Sequence, residues 1–78
     1  MSPEAALHRR IWHDLHAEYL GALAWREIDR LAAYRWRRAT GIRSDQAAGA
    51  AHHAWILADQ QAAVAALGAG KRKKIGTK

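Results

Sequence analysis

The apolar stripe of this chain changes face at Gly21, inside a stretch that otherwise reads as uninterrupted helix. Between Pro3 and Ala39 there is no loop signal and no second proline, so the usual punctuation that ends a helix is missing. At 100° per residue, Leu7, Ile11, Trp12, Leu15, Tyr19 and Leu23 fall within roughly one 160° arc, with Arg10, His13, Asp14 and Ala17 opposite. Leu20, Ala24, Trp25, Ile28, Leu31, Ala32 and Trp36 share a second face, about 140° around from the first. A straight helix with this pattern presents apolar surface to two different neighbours. Either the chain kinks or breaks at Gly21, where glycine tolerates unusual backbone angles, or one long helix touches both the C-terminal helix and a second subunit. The residues beside Gly21, Leu20 and Ala22, are not polar. That favours a long helix bent at Gly21 over two antiparallel ones.

The remaining punctuation is clear. Ser2-Pro3-Glu4 is a helix start, with a serine N-cap, proline in the first turn and an acid at the positive dipole end. Gly41 suits a left-handed C-cap, and Arg35, Arg37 and Arg38 suit the negative end of a helix. Ser44-Asp45-Gln46 opens a last helix that is expected to reach Leu67 and stop at Gly68 and Gly70. Its small face of Ala47, Ala50, Ala51, Ala54, Leu57, Ala58, Gln61, Val64 and Ala65 invites close helix contact. Strand signals are nearly absent. The expected architecture is therefore all-α. Residues 1–70 form a single domain, a helical hairpin with a long N-terminal helix bent at Gly21, and a small three-helix bundle is the alternative. The helices are expected over residues 3–20, 22–39 and 45–67, followed by a basic flexible tail over 71–78.

Size and composition limit how such a fold is held. At 78 residues a chain buries only about 60% of the surface its unfolded form exposes. There is no cysteine, so disulfides and thiolate metal sites are excluded. Nineteen residues are alanine and none is phenylalanine, so four tryptophans and two tyrosines must supply much of the burial. A chain of this kind is expected to gain burial by self-association or on an obligate larger partner. No signal peptide is expected, because Glu4, His8, Arg9 and Arg10 interrupt any apolar leader, and no membrane span is expected, because no apolar run is long enough. Both observations point to a cytoplasmic protein.

The charge is segregated. Residues 1–43 carry eight Lys/Arg against five Asp/Glu, residues 44–70 carry two acids and no Lys/Arg, and residues 71–78 carry five cations and no acid. Such an imbalance attracts polyanions. Arg26, Arg30 and Arg37 lie within roughly 40° of one another on the polar side of the second segment. Tyr34-Arg35-Trp36-Arg37-Arg38 mixes aromatic and guanidinium groups, the residue types enriched at binding hot spots and able to stack on bases. With Trp25, Arg43 and the run Lys71, Arg72, Lys73, Lys74, these residues form the candidate binding surface. The bland alternative is a solvated helix face and a core tryptophan.

Chemistry-bearing motifs fail one by one. A reading helix at 45–60 would need Arg, Lys, Asn or Gln at base edges, yet it offers Gln46, His52, His53 and mostly alanine. His13 and His16 share a helix face, but no second Glu-x-x-His accompanies them. His52 and His53 are adjacent and point about 100° apart. Ser2, Thr40 and Ser44 are explained by helix ends. No catalytic residue, metal or cofactor is expected. The sequence instead points to a small non-enzymatic adaptor or inhibitor that docks on a nucleic-acid-handling assembly. Two other readings stand beside it: a direct, low-specificity nucleic-acid binder, and a cationic amphipathic protein at a membrane interface.

Overall fold

The computed structural model describes the backbone of residues 1–76 and the side-chain surroundings of residues 1–68. The described residues form three helices and no strand: α1 (Pro3–Tyr19), α2 (Trp25–Thr40) and α3 (Asp45–Gly76). The all-α reading holds. The N-terminal stretch is two helices joined by a reversal, the three-helix alternative rather than the favoured long bent helix.

The reversal is local and specific. Leu20 caps α1 in the left-handed region, with φ 48° and ψ 40°, and its N–H returns to the His16 carbonyl. Gly21 follows at φ 83°, and the Ala22 N–H donates to the Tyr19 carbonyl at 2.8 Å. Two successive positive-φ residues closed by such a bond make a type I′ turn, a shape associated with hairpins. A Cβ at Gly21 would meet nothing within 4 Å, so glycine is needed there for its backbone angle and not for space. α2 then starts at Ala24, which has no side chain able to cap it.

The turn brings the two apolar arcs face to face. Trp36, near the end of α2, donates its indole N–H to the Glu4 carbonyl at the start of α1, at 2.9 Å. At the opposite end, Ile28 of α2 packs in one cluster with Leu15 of α1. The change of face at Gly21 is thus satisfied within one chain and by itself requires no second subunit.

α3 lies mainly against α1. Ala5, Trp12, Leu15, Ile28, Ala32 and Trp55 make one buried cluster, and Trp36, Ala48 and Ala51 make a second. Alanine at 5, 32, 48 and 51 leaves the space that the three indoles fill. Burying an indole removes roughly 200 Å² from water, about 5 kcal/mol at the usual transfer coefficient, which no alanine approaches.

Trp55 also decides which face of α3 turns inward. The sequence pointed to the small face, of which Ala51 is buried and Ala47 and Ala58 are half-buried, yet Ala50, Ala54, Leu57, Gln61, Val64 and Ala65 are exposed while Ala48 and Trp55, off that face, are buried. One tryptophan outweighs a row of alanines. α3 is also longer than expected, since it runs through Gly68 and Gly70 to Gly76 where the sequence placed a stop after Leu67. Residues 60–68 are exposed throughout. The other helix ends follow the sequence. Ser2 Oγ accepts the Ala5 N–H and Ser44 Oγ accepts the Ala47 N–H, each at 3.2 Å, and Gly41 is a left-handed cap at φ 76°.

Leu20 carries strain without reward, since its side chain is 85% exposed and a left-handed backbone costs a non-glycine residue about 1–2 kcal/mol. Leu20→Gly should therefore raise the unfolding free energy by about 1 kcal/mol, read as a higher urea midpoint at unchanged slope. A lower midpoint would mean that Leu20 is held by packing.

Candidate functional site

The candidate surface predicted from sequence separates into a buried part and an exposed part. Trp36 is 1% exposed. It is a core residue, held by its bond to Glu4 and by Leu7, Ile11 and Ala33 around its cluster, and it offers nothing to a partner. Its position on the apolar arc and its bulk send it inward. Arg35 and Arg37 are exposed in part but already engaged. Arg35 Nη1 donates to Glu18 Oε2 at 3.0 Å, and that hydrogen bond, with the charge of Glu18, raises the guanidinium further above its ordinary pKa. Arg37 is paired with Asp45 and so ties the end of α2 to the start of α3. Pairs at this exposure contribute at most about 1 kcal/mol.

The exposed part lies along α2. Arg26 and Arg30 face solvent. Tyr34 is half exposed, with the Arg38 guanidinium 5.9 Å from the ring centroid. Tyr34, Arg37, Arg38, Gly41 and Arg43 line a shallow concavity of about 380 Å³ where α2 turns toward α3. Arg26, Arg30, Arg38 and Arg43 make no ion pair among the described residues. Glu27, beside this row, is also exposed. Trp25 is 65% exposed at the far end of α2, its ring edge-on to Trp12 at 5.9 Å. Lys71, Arg72, Lys73 and Lys74 lie outside the residues whose side chains are described.

Guanidinium groups beside a half-exposed phenol suit phosphate oxygens and flat rings. On the outward face of α3, Ala50, Ala54 and Leu57 offer no donors to base edges. Among the described residues, no three His, Cys, Asp or Glu side chains converge as a metal site, and no helix is long and apolar enough to cross a membrane.

The core also holds a polar side chain that lies outside the candidate surface. His8 is 1% exposed, and its Nδ1 accepts the Trp55 indole N–H at 3.0 Å. Its ring stacks on His52, with centroids 4.9 Å apart and planes 15° apart. His52 Nδ1 sits 3.2 Å from Asp29 Oδ1, while His52 Nε2 is buried without a hydrogen-bond partner among the described atoms. Burial first, and His52 second, push the His8 pKa down to about 4, against a smaller opposing pull from Asp29. The signal was present in the helical wheel, since His8 falls in the middle of the arc set by Leu7, Ile11, Leu15 and Tyr19.

The chain matches no protein-family model, no curated protein and no solved structure.

Trp36 and Trp25 should separate cleanly on substitution. Trp36→Ala removes about 3–5 kcal/mol and should leave far-UV circular dichroism largely unfolded at 25 °C. Trp25→Ala should cost about 1 kcal/mol and keep the helical spectrum. A folded Trp36→Ala variant would contradict the core assignment.

Proposed function

We propose that this protein is a non-enzymatic interaction protein that docks on a nucleic-acid-containing assembly, with the outer face of α2 contacting phosphates. The observation that carries this reading is the row of Arg26, Arg30, Arg38 and Arg43, unpaired among the described residues, around half-exposed Tyr34. α2 rises about 1.5 Å per residue, so Arg26 to Arg38 spans roughly 18 Å, enough to meet several phosphates along a backbone. The formal charge of +6 adds long-range attraction. Contacts of this kind position a protein on a duplex without reading its sequence. The earlier pairing of Arg with Trp at the centre of the surface gives way to Arg with Tyr, because Trp36 is in the core. The burial of Trp12, Trp36 and Trp55 also takes away most of the aromatic surface that a membrane-interface role would use.

A second reading is favoured by α3. Its face of Ala50, Ala54, Leu57, Gln61 and Val64 recurs at alternating spacings of four and three and is exposed, the pattern of a helix-pairing seam. Self-association along α3 would cover it and leave α2 free. Sedimentation equilibrium should then show a concentration-dependent dimer that Val64→Lys abolishes, and a monomer at all concentrations would end this reading.

Anisotropy titrations with two unrelated fluorescent duplexes, across a salt series, test the primary reading. Both duplexes should bind with similar affinity, and affinity should fall steeply as salt rises. Arg30→Ala, Arg38→Ala and Arg43→Ala should each lower the salt slope by roughly one unit. No binding at the lowest salt would remove direct phosphate contact.

A further inference from the structure

We propose that the stack of His8, His52 and Trp55 is an acid-sensitive latch that fastens α3 to the α1–α2 hairpin and releases it when the medium becomes mildly acidic. The geometry joins all three helices at one point. α1 supplies His8, α3 supplies His52 and Trp55, and α2 supplies Asp29. α3 also packs on α1 through the apolar clusters around Trp55 and around Ala48 and Ala51. Its other polar ties are the exposed pairs Arg9–Asp59 and Arg37–Asp45, and pairs of that exposure hold weakly.

Every part of the latch requires a neutral His8. Its Nδ1 must keep a lone pair to accept the Trp55 N–H, and the proton of the neutral ring then sits on Nε2. A proton added at Nδ1 removes that acceptor and sets two donors against each other in a buried site. It also places a cation 4.9 Å from the His52 ring. Asp29 lies 3.2 Å from His52 Nδ1, whereas the nearest ring to His8 is His52 itself. The charged and titratable groups facing His8 are therefore His52 from α3 and, at longer range, Asp29 from α2. From the apolar side Trp36 and Trp55 enclose it, at centroid distances of 6.4 and 6.5 Å.

The direction in pH follows from the shift. An unfolded His8 takes up its proton near the ordinary value of 6.5, and the folded one resists until about 4. Above pH 6.5 both states are neutral and stability is full. Between 6.5 and 4 only the unfolded or released chain gains the proton, so stability falls, and below 4 this contribution levels off. The folded-to-unfolded ratio should drop roughly a hundredfold between pH 7 and pH 4 from this group alone.

Urea unfolding of the full chain at pH 7, 5.5 and 4, beside His8→Asn, tests the latch. Asparagine offers an amide oxygen near the position of Nδ1 and does not titrate, so the variant should keep the Trp55 bond and lose most of the pH dependence. If His8→Asn loses stability with acid as steeply as the wild type, the latch is wrong. NMR of the wild type decides the matter even if the variant fails to fold. Native His8 should keep the shifts of a neutral ring at pH 5. A His8 midpoint near 6.5 in an intact fold would overturn the proposal.

Discussion

The bond from the Trp36 indole N–H to the Glu4 carbonyl, 2.9 Å long and spanning 32 residues, can form within one chain only if the chain turns back between its first two helices. An unbroken helix would hold those residues about 48 Å apart. Once the turn is made, the remaining features follow in order. The two apolar arcs meet, Trp12 and Trp36 lose contact with water, and a groove opens on α1 that Trp55 of α3 fills. In a chain this rich in alanine, the indoles are the largest side chains that the closure buries, with Leu15 and Ile28 beside them. The indole donors of Trp36 and Trp55 have each found an acceptor, as most buried polar groups do.

The fold class, both serine caps and the Gly41 cap were legible because each rests on a residue whose local chemistry has one common use. The reversal was not, because the residues that make it are the wrong types for the task. Leu20 takes a left-handed conformation that leucine disfavours, and Ala24 begins a helix without a capping side chain. Tertiary burial of the tryptophans overrides both. The shift of the stripe at Gly21 marked the place correctly but left its meaning open, since a bend and a reversal give the same pattern on a wheel. A similar ambiguity hid the inward face of α3, where many small alanines and one large Trp55 pulled the reading in opposite directions.

At the candidate site, sequence located the cations but could not say which were free. Arg35 and Arg37 are drawn into pairs by Glu18 and Asp45, partners distant along the chain or across a loop. Arg26, Arg30, Arg38 and Arg43 remain on the surface with Tyr34. α2 therefore has two roles divided by face: its inner side closes the core through Ile28, Ala32 and Trp36, and its outer side carries arginines that make no ion pair among the described residues. His8 marks the limit of pattern reading from the other direction. A histidine in the middle of an apolar arc is conspicuous only when the arc is known to face another ring, and that ring, His52, comes from a separate helix.

Intrachain proximity between Trp36 and the start of α1 is the property to measure. In dilute samples mixing isotope-labelled and unlabelled chains, isotope-filtered NMR should show nuclear Overhauser contacts from the Trp36 indole to Glu4 and Leu7 within a single labelled molecule. Their absence, or contacts seen only between labelled and unlabelled molecules, would mean that the chain does not turn back at Leu20–Gly21 and that the packing described is wrong.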